Sequence, residues 1–315
     1  MAEKRKKLIR RLVCGVLCIL VGVPIVIMPL STVAIYEILF SRRFESSAQE
    51  EFDPSYYSGL TREESSFELD GKLCAGYEYR AQDLKEHKGI IIVSHGLGGG
   101  GHVNYLPIIN AFAQNGYIVY AYDALGNDGS EGKLGGFPQG VLALDGAISH
   151  VCEQEKYSEL PIMLFGHSWG AYSAANVLNL HPEVSAVALV SGFNESEDLI
   201  GYYAEKYAGV FSLGAELYVE IYERLKFGRE YADISGVSGL EVSDALVFIA
   251  HSEDDEIVPT FCGIEIYEEA FGEDSRFTFV RYEDQGHVDI LYSVEVEPDA
   301  ELIESILNVF NAAIG

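Results

Sequence analysis

The sequence predicts an α/β chain: a mostly parallel central sheet with helices on both faces, a helical insertion late in the sheet, and an apolar helix ahead of it. Three observations carry this. From residue 89 onward, short apolar runs alternate with helical patterns, as expected of parallel strands covered on both sides. The run Pro161-Ile162-Met163-Leu164-Phe165 passes directly into Gly166-His167-Ser168-Trp169-Gly170 and then into small residues, a strand turning at once into a helix. Finally, the 25 residues from Leu12 to Tyr36 carry no formal charge.

As a helix, that first stretch reaches roughly 37 Å, more than a ~30 Å hydrocarbon core requires. It is therefore a membrane-spanning candidate. Lys4, Arg5, Lys6, Lys7, Arg10 and Arg11 precede it and only Arg42 and Arg43 follow. This bias keeps the N-terminus in the cytoplasm and the bulk of the chain outside, a single-pass cell-membrane protein with an extracellular domain. The alternative is secretion after signal cleavage near Thr32-Val33-Ala34. The chain divides into a basic segment and anchor (1–43), a polar connector (44–64) and a globular domain (65–315).

Beyond residue 43 there are 13 lysines and arginines against 47 aspartates and glutamates. A surface so acidic repels phosphate backbones, so nucleic acid is excluded as a partner. Cys14 and Cys18 lie in the span. Cys74, Cys152 and Cys262 form an odd set with no metal-ligand spacing, so neither a disulfide framework nor a metal site is expected.

In chain order, Asp70-Gly71 between Ser65–Leu69 and Leu73–Tyr79 signals a hairpin. Strands are then expected over 89–94, 117–122, 161–166, 184–190, 245–251 and 277–282. A serine on a strained strand-to-helix turn presents its hydroxyl away from the sheet, which makes Ser168 the candidate nucleophile. Gly166 and Gly170 are required because a β-carbon at either place would collide across the turn.

The glycine-rich turn His95-Gly96-Leu97-Gly98-Gly99-Gly100-Gly101 supports two readings. In one, the Leu97 N–H joins that of Trp169 as an oxyanion hole. In the other, Gly96, Gly98 and Gly101 with Asp123 spell a dinucleotide fingerprint. The first is preferred, with no cofactor, because the second leaves Ser168 and its partners unexplained. Asp123, in the loop to Gly132, is expected to serve a local hydrogen-bond network. Past the strand ending near His251, Glu253-Asp254-Asp255-Glu256 offers four acids, of which only one has to turn inward; Asp255 is chosen, with Asp254 second. His287, just past the last strand, is the candidate base. Because that base must start neutral, activity is expected to fall as pH drops through the histidine range.

Four motifs stand together: His95-Gly96, Asp123-x-x-Gly126 with Ser130-x-Gly132, the Gly166–Gly170 turn, and Asp255-x-x-Val258-Pro259 followed by Gly286-His287. In this order they resemble the α/β-hydrolase superfamily over residues ~65–315. The closer likeness is to the monoacylglycerol-lipase, lysophospholipase and serine-aminopeptidase-like serine hydrolases. Leu125, where such loops usually carry arginine, and Asp128, where glycine is common, depart from the pattern.

The resemblance implies a Ser168–His287–Asp255 triad and hydrolysis of carboxylic esters, with monoacylglycerols or lysophospholipids as the substrate class. A peptidase acting on small amides is the runner-up, and a non-catalytic binding module on the same fold the third reading. Residues 193–240 exceed an ordinary connection and read as a helical lid. Its nine aromatics are Phe193, Tyr202, Tyr203, Tyr207, Phe211, Tyr218, Tyr222, Phe227 and Tyr231. Most are expected to pack it onto the body, and a few to line an acyl or aryl pocket. The oligomeric state is not encoded in any motif.

Overall fold

A computed structural model describes residues 2–46, 53–292 and 297–315. The first helical stretch runs as α1 (Ala2–Gly22), a π-helical turn at Val23–Ile27 and α2 (Met28–Phe40). An antiparallel hairpin follows, β1 (Leu60–Leu69) and β2 (Lys72–Ala81). Asp70 and Gly71 both take positive φ, 50° and 70°, as the two-residue turn between right-twisted strands demands. β1 begins five residues earlier than its hydrophobic pattern, because Thr61, Arg62, Glu63 and Glu64 lie on the exposed edge of the sheet and need no apolar face.

The remaining strands are β3 (Ile90–Ser94), β4 (Ile118–Tyr122), β5 (Ile162–His167), β6 (Ala186–Val190), β7 (Leu246–Ser252) and β8 (Phe277–Tyr282). The eight form one sheet in the order β1-β2-β4-β3-β5-β6-β7-β8, parallel from β4 onward. Alternate residues feed two cores. Ile90 and Ile92 face α4 (Pro138–Cys152) and α5 (Trp169–Val177), while Ile91 and Val93 face α3 (Leu106–Gln114) and the C-terminal helix (Ala300–Ala313). All four isoleucine and valine side chains are fully buried, which is why this strand reads as an unbroken apolar run.

Between β6 and β7 a cap is built from α6 (Ser196–Ala208), α7 (Ala215–Phe227), α8 (Arg229–Ala232) and α9 (Gly236–Val242). α2 lies against α7. Tyr36 and Phe40, at its end, are buried in the same core as the cap, and the Phe40 ring meets that of Phe137 edge-on at 5.0 Å. The chain from Tyr36 to Ser46 is thus packed on the body; residues 47–52 of the connector lie outside the described residues.

Glu223 of α7 is fully buried. It accepts hydrogen bonds from the Tyr36 hydroxyl (2.5 Å) and from Ser196 Oγ. Burial pushes its carboxyl up to about 7, more than these bonds pull it back. The folded chain therefore holds a proton that the unfolded chain releases above about pH 4.3, so stability should fall as pH rises from there to about 7. We expect Glu223→Gln to flatten this slope, removing up to ~3 kcal/mol of pH-dependent loss. Thermal unfolding of both chains across pH 5–8 checks it, and parallel curves would remove Glu223 as the cause.

Candidate active site

The turn after β5 is forced by close contacts. Ser168 sits at φ 56° and ψ −118°, a strained backbone that persists only where its surroundings fix it. Its N–H donates to Val190 O at 2.8 Å, which pins the turn to β6. A β-carbon on Gly166 would strike the carbonyl of Gly170. One on Gly170 would strike the carbonyl of Ser94, at the end of β3, so the two glycines answer to different neighbours.

His287 and Asp255, 119 and 87 residues further along the chain, come from the loops after β8 and β7 and meet Ser168 at the C-terminal edge of the sheet. His287 Nε2 lies 2.8 Å from Ser168 Oγ, and its Nδ1 lies 2.7 Å from Asp255 Oδ2. Asp255 Oδ1 accepts the N–H groups of Ile257 (2.9 Å) and Val258 (2.8 Å), which fixes the carboxylate. Burial alone would raise this carboxyl, but hydrogen bonds from His251 and His287 hold it well below the usual carboxylate range. Asp254 turns elsewhere, accepting from Ser252 Oγ and the Gly286 N–H beneath the histidine loop.

Three further residues were not singled out in the sequence. The Gly96 N–H donates to Tyr105 Oη (2.8 Å), which stands 2.9 Å from His167 Nδ1, while His167 Nε2 stands 2.8 Å from the His287 carbonyl. A carbonyl only accepts, so Nε2 carries the proton and Nδ1 takes the tyrosine hydrogen. Burial pushes the imidazole down to about 3, keeping it neutral in this role. The chain ties the glycine-rich turn to the backbone of His287. His251 Nε2 lies 2.8 Å from Val258 O and 3.2 Å from Asp255 Oδ2. The only signal for His167 was its place inside the Gly166–Gly170 stretch.

Leu97 and Trp169 both line the cavity above Ser168. Trp169 opens α5, so its N–H has no helical acceptor. The Leu97 N–H donates to nothing among the described residues. Asp123 is fully buried; its oxygens accept from the His102 N–H and Nδ1, the Gly129 N–H and the Tyr77 hydroxyl (3.4 Å), so its carboxylate is taken up within its own loop network.

The two loop departures have partners on the N-terminal segment. Leu125 is buried, and Arg43 brings a guanidinium to the loop from outside it, donating to the carbonyls of Asp128, Ser130 and Gly132 at 2.8–3.0 Å. Asp128, at φ 28°, spends its carboxylate on the N–H groups of Ser46 and Gly101 and on Ser46 Oγ.

The cleft holds about 1260 Å³; Leu97, Phe137, Phe193, Leu199, Tyr203, Ile257, Val258 and Leu291 give it apolar walls, and Asn104, Asp284, Gln285, Asp289 and Asp299 add polar ones. Of the cap aromatics, Phe193 and Tyr203 reach it. Tyr231 bonds Asp145, and Tyr218 and Tyr222 face the N-terminal helix. The Phe211 side chain lies outside the described residues. A largely apolar cleft that holds a hydrogen-bonded serine, imidazole and carboxylate can accept an acyl or aryl group and activate a hydroxyl against it.

Comparison with known proteins agrees with this architecture. The family described as serine aminopeptidase, S33, matches residues 85–235, a span that includes the glycine-rich turn and Ser168 and ends before Asp255 and His287. Caffeoylshikimate esterase of Arabidopsis thaliana is 33% identical over 88 residues, 27% of this chain and 26% of that protein, so the match spans about a quarter of the relative's length. Among solved structures, the Pyrococcus furiosus esterase Pf2001 superposes with a TM-score of 0.65 at 17% identity, covering 88% of this chain and 99% of that one. Est1E from Butyrivibrio proteoclasticus gives 0.56 at 14% identity, covering 80% and 98%. With the sheet order, the elbow and these likenesses in hand, the chain has the α/β-hydrolase fold.

Proposed function

We propose that the chain is a membrane-anchored serine hydrolase that cleaves carboxylic esters through an acyl-enzyme on Ser168. The hydrogen-bonded relay from Ser168 Oγ through His287 to Asp255, at the floor of an apolar cavity, carries this reading. His287 takes the serine proton as Oγ attacks the acyl carbon and returns it to the leaving alcohol. Asp255, ionised, holds the imidazole tautomer and stabilises the imidazolium. The N–H groups of Leu97 and Trp169 receive the developing oxyanion, each worth roughly 3 kcal/mol of barrier. Water then attacks the acyl-enzyme, with His287 again as base.

The apolar walls favour an acyl or aryl ester, with monoacylglycerol or lysophospholipid-like esters as the finer candidates. The 38-residue helix Glu3–Phe40 is long and apolar enough to span a membrane, and its basic N-terminal end favours a cytoplasmic start and an outward-facing domain. A second reading, a peptidase acting on small amides, is favoured by the matching family's description. Full-length protein in detergent, offered esters graded by acyl length beside aminoacyl amides, separates the two. Ester turnover is expected to dominate. Amide-only turnover would replace the esterase reading, and no turnover together with no labelling by a fluorophosphonate would leave a binding module.

A further inference from the structure

We infer that cap helix α7 lies in the same bilayer as the N-terminal helix and presents a leucine-rich stripe to lipid acyl chains. This rests on the membrane-anchor reading above. The first observation is a carbonyl without its helical donor. In the π turn the Met28 N–H bonds Val23 O, five residues back, so the next such bond would run from residue 29 to Pro24 O. Residue 29 is proline and has no N–H to give. Tyr218 of α7 supplies the missing donor, its hydroxyl 2.8 Å from Pro24 O. In hydrocarbon an unpaired carbonyl is costly, and Pro24 lies inside the uncharged stretch Leu12–Tyr36. The first turns of α7 therefore run beside the apolar part of the anchor. Pro24 is roughly 18 Å along the helix axis from Tyr36.

The second observation is which way the rest of α7 points. Tyr218, Tyr222 and Lys226 face the N-terminal helix, the latter two bonding Glu37 at 2.6 and 2.5 Å. Val219 and Glu223 face the body and are buried. Each residue turns the helix by about 100°, so Leu217, Ile221 and Leu225 project about 160° from the buried face, beside the anchor and away from the body. They are 53%, 46% and 81% exposed, and Leu213 before the helix is 77% exposed. An apolar row of this size, continuous with a membrane-spanning helix, has acyl chains as its occupant. Glu220 pairs with Arg224, which also bonds Asp233. The cap is thereby held to the anchor at Pro24, Tyr36 and Glu37.

The test uses the single native tryptophan, Trp169, which is 1% exposed, as an internal background. Ile221→Trp, Leu225→Trp and, in the anchor, Leu20→Trp are reconstituted at full length in phosphatidylcholine vesicles carrying brominated acyl chains. Fluorophosphonate labelling reports that each variant is folded. The inference expects the added fluorescence of Ile221→Trp and Leu225→Trp to be quenched by bromines ~5–10 Å below the headgroups, with the parent unaffected. Quenching at Leu20→Trp but at neither cap site overturns the inference and leaves the anchor standing. Quenching at none of the three overturns both. Cap tryptophans shielded from lipid by a second copy of the chain would also fall in the unquenched class and count against it.

Discussion

Replacing Ser168 by alanine is expected to lower kcat/KM on an activated ester by roughly 10⁴–10⁶-fold and to abolish fluorophosphonate labelling, with the fold unchanged. His287→Ala should cost about as much, and the double variant little more than either alone, because in the proposed mechanism the two residues act as one unit across their 2.8 Å contact. The acidic partner gives the sharper test. Asp255→Asn leaves the geometry in place but offers Nδ1 an amide where a carboxylate had fixed the tautomer, so a loss of roughly 10⁴ is expected. Asp254→Asn should cost less than about tenfold, since Asp254 only supports the Gly286 turn and Ser252. Equal losses at the two aspartates would take the acid role away from Asp255. Because that carboxyl is held well below its usual range, acid inactivation in the mildly acidic range should not come from its protonation.

The parts of this site that were legible in the sequence are those imposed by short-range physics. β3 to β8 fell within one or two residues of expectation; the inner strands β3 to β7 did so because strands buried on both faces must be mostly apolar, as Ile90–Val93 are. Gly166 and Gly170 announced the elbow because a β-carbon fits at neither, the first facing the Gly170 carbonyl across the turn and the second the Ser94 carbonyl at the end of β3. That Asp255 and His287 would stand beside Ser168 followed from position, since ends of parallel strands converge on one edge. What stayed hidden are polar pairings between distant residues. The Tyr36–Glu223 bond joins positions 187 apart, and nothing in either neighbourhood distinguishes Glu223 from the exposed glutamates around it. Likewise, Tyr105 and His167 look like ordinary core residues until their ring atoms are seen 2.9 Å apart. Arg43 read as a charge flanking a membrane span, and its three carbonyl partners lie 85–89 residues later.

That last point predicts where the globular part begins. A fragment starting at residue 44 lacks Tyr36, Phe40 and Arg43; one starting at residue 35 keeps all three. Removing a buried phenylalanine side chain costs about 3–5 kcal/mol, and each step of 1 kcal/mol lowers Tm by about 2–4 °C in a domain of this size. The shorter fragment also leaves Glu223 without the Tyr36 hydroxyl and the carbonyls of Asp128, Ser130 and Gly132 without the guanidinium. It is therefore expected to melt at least about 10 °C below the longer one, or to fail to fold. Single substitutions in the full chain separate the causes. Phe40→Ala should lower Tm with little effect on kcat, because its ring packs on Phe137 and touches no catalytic group. Arg43→Ala should lower both, because the loop it holds positions Asp128, and Asp128 accepts the Gly101 N–H at the end of the turn that carries Leu97. A fragment from residue 44 that melts with the longer one would mean that the N-terminal helix is an appendage, and the contacts from Tyr36 to Arg43 would then be incidental to the enzyme's core.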